Sequence, residues 1–441
     1  MNFSKPISYE AINVLALAVA IVFLPFSIAV CHAGLLILVA SWLMEGKWRI
    51  KWDTIKNQPL LWPFLLFFML HLIGLIYSND IGNGTAAIGK KTFFFLLPII
   101  IATLKIERNH LHLLLKLFLG TSLVAVVICM SVAFNQSLHP DHTPRNFDFT
   151  NSEEFNLLNP DISQSWSYFS YSELSSGINI HPTYLGLYIT FSTLLLAHFY
   201  KQREHSLTVW EKRGILFVFL LFSLFILLLS SRAITIAYLF SSIAGLSWIF
   251  FYPRKSAFAI TGIIVVILLS AASIFLNPIS RYRSVQEFNG HSLRIETNKQ
   301  YTTSSSIRLS LWWLGLQSIT PRNWVIGNGT GDTTDTMKAT AEKYGITNTL
   351  HSYDPHNQFI YTFLQLGIIG LFTLTACLLL PCFQQSISFL HLSFLIIILI
   401  VAITESIFEL QKGIVFFSLF HSLIVFQFQT IRSPQLSVSH A

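Results

Sequence analysis

The chain has 441 residues, of which 53% are hydrophobic and 11% are charged, with a formal net charge of +7. A soluble domain carries about 25% charged residues, so this composition excludes an ordinary soluble fold. The basic residues are spread over short segments and do not form one patch with interleaved aromatics, which excludes a nucleic-acid-binding surface. Apolar runs long enough to cross about 30 Å of hydrocarbon recur along the chain. The sequence therefore predicts an all-α polytopic membrane protein.

The apolar runs predict about twelve transmembrane helices by the hydropathy criterion. The first run begins near Ala11 and no small-residue cleavage site ends it, so it is predicted to be a span and not a cleaved signal. It continues after Pro25 and Ser27 into the second run, which indicates a helical hairpin. The predicted spans are 9–25, 29–45, 60–77, 88–104, 111–134, 181–200, 214–231, 233–251, 257–276, 357–381, 387–404 and 413–429.

Lysine and arginine in short loops orient this predicted bundle, because such loops stay cytoplasmic. With twelve spans, four basic loops and both termini fall on one side. Two long segments then fall on the outer side, and the first of them carries six acidic residues against a single arginine, Arg145. The basic residues of the four loops are Lys47, Arg49, Lys51, Lys56, Lys105, Arg108, Lys201, Arg203, Lys212, Arg213, Arg254 and Lys255.

The second outer segment contains a helical pattern, "SSIRLSLWWLGLQSI", with an apolar stripe that predicts a partly amphipathic helix in a folded outer domain. The stripe consists of Leu311, Trp312, Leu314, Gly315 and Ile319. The predicted organisation is 1–134 with five helices, 135–180 as the first long outer loop, 181–276 with helices six to nine, 277–355 as the large outer loop, and 356–441 with helices ten to twelve and a short cytoplasmic tail.

Two further features have structural interpretations. The four cysteines lie in or beside apolar runs without metal-binding spacing, and we expect small core residues. The segment "GNGTGD" at 327–332 is similar to a phosphate-cradling glycine loop, but no strand precedes it and no GK[ST] follows. It is predicted to be a turn-rich connection. The cysteines are Cys31, Cys129, Cys377 and Cys382.

Polar side chains at the predicted outer surface are the candidates for function. Arg232 falls in the tight turn between spans seven and eight with apolar neighbours, which favours a functional role over a snorkelling one. Arg308 lies on the predicted amphipathic helix, where a solvated face is an equal alternative. His356 and Asn357 stand at the mouth of span ten. Asp354 or Asn357 could cap that helix, and a histidine there can accept a proton near neutral pH.

Charged residues in two other outer positions are supporting candidates. Glu405 and Glu409 in "ITESIFELQKG" are spaced i, i+4 and are predicted to share one helical face. The alternative is a solvated turn, salt-paired to Lys412. Lys90 and Lys91 stand at the outer end of span four, where they could contact a lipid phosphate or ordinary anionic headgroups.

Aromatic and histidine side chains complete the set of candidates. His181 and Tyr184 in "HPTYLG" open span six, where they could line a cavity or pack in the core. Trp166, Tyr168 and Tyr171 in the first outer loop could stack on sugar rings or pack.

The order of several motifs carries more information than any one of them. The chain presents "SSRA", then "RLSLWWLGL" and "NWVIGNGTGD", then "DPHNQFIYTFLQLGIIGL", and finally "TESIFELQKGIVFFSLF". This series, over 181–420, resembles the O-antigen ligase and polymerase family of bacterial envelope glycosyltransferases, in its ligase-like branch. The resemblance implies an inner-membrane enzyme with about twelve spans and a large periplasmic loop, similar to C-type inverting glycosyltransferases. It implies no metal and no cofactor.

The resemblance also implies substrates and roles. The glycan donor would be a polyprenyl-diphosphate-linked glycan, and the acceptor would be the lipid A–core oligosaccharide, both among membrane lipids. Arg232 and Arg308 would bind the carrier diphosphate, and His356 would act as general base on the acceptor hydroxyl. Asn357 would orient the histidine or cap the helix. Glu405 and Glu409 would help to shape the acceptor site.

Four alternatives remain open at this point. Within the enzyme class, the chain could be a polysaccharide polymerase or a protein O-oligosaccharyltransferase, which share the donor and differ in the acceptor. A transporter of lipid-linked glycan would suit the predicted spans, but the two halves of the sequence look dissimilar and the polar residues gather at one surface. A structural scaffold would not depend on Arg232, Arg308 or His356.

Overall fold

The computed structural model describes residues 8–139, 166–203, 206–250, 304–346, 354–384 and 388–428, with isolated positions between 264 and 271. Within these ranges the regular structure is helical, without strands, which confirms the predicted all-α class. The helices are α1 (Tyr9–Phe23), α2 (Ile28–Met44), α3 (Trp48–Asn57), α4 (Trp62–Ile76), α5 (Ile81–Thr103), α6 (Arg108–Leu138), α7 (Tyr171–Ser175), α8 (Pro182–Arg203), α9 (Val209–Leu228), α10 (Arg232–Phe250), α11 (Ser304–Gln317), α12 (Thr333–Lys343), α13 (Gln358–Gln384), α14 (Phe389–Thr404) and α15 (Gln411–Ser422).

Helices occupy the predicted apolar segments wherever the structure describes them. The ninth predicted span, 257–276, falls almost wholly outside the described residues. By length and composition, five described helices can cross a membrane, or up to seven if each of two bent pairs forms one span. Shorter apolar helices cover Tyr9–Phe23, Arg232–Ala244 and Phe389–Thr404. The protein is therefore a multi-pass membrane protein, and the number of twelve spans stays a prediction.

Polar caps define the starts of several helices. The Ser8 and Ser27 hydroxyls accept hydrogen bonds from N–H groups in the first turns of α1 and α2. Thr208 and Glu211 form a reciprocal capping box at the start of α9. The predicted hairpin of the first two apolar runs is the α1–α2 pair.

Four helix ends meet at one end of the bundle, which we call the site end. The Tyr188 hydroxyl, in the second turn of α8, donates to the Lys412 carbonyl at the start of α15 (2.9 Å). The turn 405–410 joins α14 to α15, and residues 354–357 lead into α13 next to this turn. Phenylalanines fill the bundle below, as in the contact of Phe408 with Phe417 at 4.9 Å between ring centroids. Cys31, Cys129 and Cys377 are buried in this core.

The segment 304–346 forms a small helical unit with its own core. The predicted amphipathic helix is α11, whose Leu311 and Leu314 are buried. They pack with Met337 and Ala341 of α12 and with Leu364 of α13. This unit therefore rests directly on the first turns of α13.

Helix α13 is broken at Gly367, where φ is +63° and ψ is −160°. The loop 324–329 fills the break. The Ile368 N–H donates to the Trp324 carbonyl (2.9 Å), and the Asn328 N–H donates to the Leu364 carbonyl (2.8 Å). A Cβ on Gly367 would lie 2.3 Å from the Val325 backbone, so both the dihedral angles and the space require glycine.

The glycine-rich loop 327–332 is hydrogen-bonded to the turn between α4 and α5. The Asp332 carboxylate accepts hydrogen bonds from the Ser78 hydroxyl and from the N–H groups of Asn79 and Asp80, each at 2.8 Å. The backbone N–H groups of the loop also bind within the chain, which agrees with the predicted turn-rich connection and leaves no amide cradle for phosphate. The N–H groups of Gly327, Asn328, Gly329 and Thr330 donate to the carbonyls of Asn323, Leu364, Gln365 and Gly74, in that order. The Gly331 N–H donates to the Ser78 hydroxyl.

Candidate functional site

A carboxylate, an imidazole and a guanidinium from three separate segments meet at the site end. The Arg308 Nη2 atom donates to Glu405 Oε1 at 2.7 Å. The His356 Nδ1 atom lies 3.1 Å from Glu405 Oε2. The exposed fractions of these side chains are 27% for Arg308, 35% for His356 and 14% for Glu405. The carboxylate is therefore largely enclosed, whereas the two nitrogen groups reach the surface.

The backbone around His356 is held in an uncommon conformation. His356 has φ of +44°, in the left-handed region that side chains other than glycine rarely adopt. The Asp354 Oδ1 atom accepts a hydrogen bond from the His356 N–H (2.8 Å) and another from the Ser406 hydroxyl (2.6 Å). Asp354 thus ties the histidine to the turn that carries Glu405.

Asn357 caps α13. Its Oδ1 atom accepts hydrogen bonds from the N–H groups of Phe359 (3.0 Å) and Ile360 (3.1 Å). These are donors that a helix start would otherwise leave unpaired. Of the two roles predicted for Asn357, the geometry supplies the cap, and Asp354 is the residue that positions the histidine backbone.

A buried ion pair lies next to this cluster. The Lys91 Nζ atom donates to Glu409 Oε1 at 2.6 Å and also to the Phe408 carbonyl. Gln358 donates to the same Glu409 oxygen (3.1 Å) and accepts from the Phe408 N–H (2.6 Å). Lys91 is 1% exposed, so the predicted contact with lipid phosphate or headgroups is wrong. A charge inside a helical bundle is costly unless it is paired, and Glu409 supplies the partner.

The predicted common face for Glu405 and Glu409 is also wrong. Glu405 has extended backbone angles, and Ile407–Glu409 is a short 3₁₀ helix, so the i, i+4 geometry of an α-helix is not formed. One carboxylate turns to Arg308 and the other turns inward to Lys91. The alternative of a solvated turn salt-paired to Lys412 fails as well, because Glu409 is 8% exposed and pairs with Lys91.

Most of the aromatic candidates pack against other protein side chains. Tyr184 is buried, and its ring lies 6.3 Å from that of His181, which is exposed beside it at the start of α8. The centroid of the Tyr171 ring lies 6.2 Å from that of His181, in an edge-on arrangement. Tyr168 is buried and Trp166 packs against the core, so for these two the packing alternative applies.

Arg232 reaches the site end on a different element. It is the first residue of α10 and is partly buried. Two residues later, Ile234 packs against Gly186, where an added Cβ would lie 2.7 Å from an Ile234 methyl group. Gly186 belongs to the first turn and a half of α8, close to His181. The structure thus brings Arg232 to the same end of the bundle as the Arg308–Glu405–His356 cluster.

The contacts within the cluster shift the pKa values of His356 and Glu405 in opposite directions. The hydrogen bond with Glu405 raises the pKa of His356 above its usual value of 6.5, although burial opposes that shift. Burial alone would raise the pKa of Glu405, but the His356 hydrogen bond and the Arg308 charge outweigh it and lower the pKa. Because Nδ1 faces the carboxylate, Nε2 is the nitrogen left for proton transfer.

The structure brings the predicted candidates Arg308 and His356 together at Glu405, which sequence reasoning gave only as a supporting candidate. That reasoning named Asp354 only as a helix cap and did not name Ser406 or Gln358. A histidine and an arginine at one membrane surface require a counter-charge. This requirement could have identified Glu405 as a main candidate from the sequence.

A family model described as O-antigen ligase matches residues 217–375. The matched segment contains Arg232, Arg308 and His356 and ends before Glu405. It is narrower than the predicted 181–420, and within it the predicted resemblance is confirmed. This part of the chain is similar to O-antigen ligase and polymerase-like proteins, which are glycosyltransferase-like enzymes of membranes. No curated protein sequence matches the chain.

Proposed function

We propose that the protein is an O-antigen ligase-like glycosyltransferase. It transfers a glycan from a polyprenyl-diphosphate carrier to the lipid A–core oligosaccharide at the periplasmic face of the inner membrane. The observation that carries this proposal is the Arg308–Glu405–His356 cluster, which combines a base and a phosphate-binding group inside or next to the matched segment. The predicted topology, in which the two long loops and this cluster share the outer side, supports the same proposal.

His356 is the general base of the proposed reaction. A sugar hydroxyl is a poor nucleophile and needs a base with a pKa near the working pH. Glu405 fixes the imidazole through Nδ1, so Nε2 accepts the proton of the acceptor hydroxyl as its oxygen attacks the anomeric carbon. Attack from the side opposite the diphosphate inverts that carbon.

The arginines act on the leaving group. The bond between the anomeric carbon and the diphosphate oxygen breaks, and the diphosphate keeps the electron pair. A guanidinium donates paired hydrogen bonds to phosphate oxygens and stays protonated throughout. The buried Arg308 Nε–H has no hydrogen-bond partner among the described residues, which is the state expected of a donor that a bound anion completes. Arg232 supplies a second positive charge at the same end.

A complementation experiment tests the function and identifies the acceptor. The chain is expressed in a Gram-negative host without its own ligase, and lipopolysaccharide and carrier-linked glycan are analysed on gels. We expect wild type to restore glycan on lipid A–core and Arg232→Ala to abolish it, with carrier-linked glycan accumulating. Arg322→Ala is the matched control, because Arg322 is exposed outside the cluster. Longer carrier-linked chains without transfer to lipid A–core would instead identify a polymerase, and unchanged transfer in Arg232→Ala would refute the role of that arginine.

Glu405→Gln is expected to lower the transfer rate about 10–100-fold and to move the acid limb of the pH–rate profile to lower pH. The sign follows from the hydrogen bond with Glu405, which raises the pKa of His356. Without the carboxylate, the protonated imidazole is less favoured, so the base becomes neutral at lower pH. The measurement is the initial rate across the acid limb with purified protein and carrier-linked glycan. An unchanged midpoint would show that His356 is not the group that titrates.

A further inference from the structure

A cavity of about 420 Å³ lies at the end of the bundle away from the Arg308–Glu405–His356 cluster. It is formed by the start of α6, the end of α8 and the start of α9. Helix α8 begins at Pro182 on the site end, and its 22 residues extend to Arg203 at the cavity. At 1.5 Å per residue, α8 separates the two places by about 30 Å, which is the hydrocarbon thickness of a bilayer.

Both basic and apolar side chains line the cavity. Arg108, Lys116 and Arg203 line it together with apolar residues that include Leu119 and Phe199. Lys116 stands eight residues after the start of α6, and a lysine near the end of a membrane helix extends its ammonium group toward the interface. Its Nζ atom lies 5.8 Å from the centroid of the Phe199 ring.

Within the described residues, these cations are incompletely neutralised. Arg203 lies 3.7 Å from Glu211, longer than a hydrogen bond, and both side chains are largely exposed. His112 and Gln202 also line the cavity and offer polar atoms beside the cations. The site thus has excess positive charge next to a polar and apolar lining.

We propose that this cavity binds the phosphate headgroup of an anionic phospholipid from the leaflet opposite the candidate catalytic cluster. The cations hold the phosphate, and the apolar wall receives the first part of an acyl chain. Basic pockets between transmembrane helices suit such headgroups, and a free phosphate ion would make no use of the apolar wall. This inference does not depend on the proposed function.

Native mass spectrometry with defined lipids tests the proposal. Detergent-purified wild type is incubated with phosphatidylglycerol, cardiolipin or phosphatidylcholine, and bound lipid is counted. The variant combines Arg108→Ala, Lys116→Ala and Arg203→Ala. The control combines Arg49→Ala, Lys56→Ala and Lys105→Ala, which removes the same charge from exposed positions outside the cavity. Lys116→Gln alone serves if the triple variant is not monodisperse.

We expect wild type and the control to retain phosphatidylglycerol or cardiolipin over phosphatidylcholine, and the cavity variant to bind them at least about tenfold more weakly. The expected loss follows because each basic residue near a membrane surface strengthens the binding of anionic lipid, and the cavity variant removes three of them. Equal binding by the two triple variants, or equal retention of phosphatidylcholine, would overturn the proposal. Displacement of the lipid by millimolar inorganic phosphate would overturn its lipid part and identify a soluble-phosphate site.

Discussion

His356→Asn is expected to lower the transfer rate by about 10²–10⁴-fold while leaving the fold intact. Asparagine tolerates the positive φ of this position better than other residues, and its amide nitrogen can take the place of Nδ1 toward Glu405. It has no group at the position of Nε2. The substitution therefore removes the proposed proton acceptor and preserves the contact that holds it.

Single-turnover transfer at saturating donor and acceptor is the measurement for this variant. We expect carrier-linked glycan to bind as in wild type and to remain unreacted. His139→Asn is the control, because this histidine is exposed at the end of α6 and lies outside the cluster. A His356→Asn rate within a few-fold of wild type would show that another group, or the acceptor itself, handles the proton.

Lys91→Met is expected to lower the free energy of unfolding by about 3–5 kcal/mol, because it leaves Glu409 charged and buried without its partner. The double variant Lys91→Met, Glu409→Gln is expected to recover most of this loss. An amide at Glu409 can still interact with Gln358, and no isolated charge remains. The comparison separates the penalty for an unpaired charge from the value of the ion pair itself.

Thermal unfolding in lipid nanodiscs gives the ranking of these variants. Lys90→Met is the control, since it removes the neighbouring lysine, which is partly exposed. We expect Lys90→Met to unfold close to the wild-type temperature. If the double variant is as unstable as Lys91→Met, the hydrogen bond from Lys91 to the Phe408 carbonyl, and not the ion pair, would be the dominant interaction.

The sequence predicted the long apolar helices of the described residues because an apolar run of suitable length has few structural alternatives in a membrane. It did not predict the shorter helices α3, α7 and α12. Local signals also located α11 and gave Asn357 as one of two candidate caps of α13. These features depend on neighbours a few residues away, for which periodicity and capping rules are reliable.

The contacts that build the candidate site depend on residues far apart in the chain. Glu405 lies 97 residues from Arg308 and 49 from His356, and Lys91 lies 318 residues from Glu409. Hydropathy can place such residues at a membrane surface, but it does not indicate which of them contact each other. For Glu409, the i, i+4 spacing suggested a helix, whereas the turn 405–410 is extended and then 3₁₀ because its side chains are held by other segments.

The break in α13 has a consequence for biosynthesis. The loop 324–329 emerges from the ribosome before α13, yet its backbone pairs with α13 on both sides of Gly367. The break lies about 13 Å along α13 from its start. Until the loop pairs with it, the carbonyl and N–H groups at the break have no partners in the hydrocarbon, which costs several kcal/mol for each group. Inserted α13 is thus incomplete until the segment before it folds back across the membrane surface. We therefore expect residues 304–346 and the transmembrane helices to reach the native state in one cooperative assembly step, so that neither part matures alone.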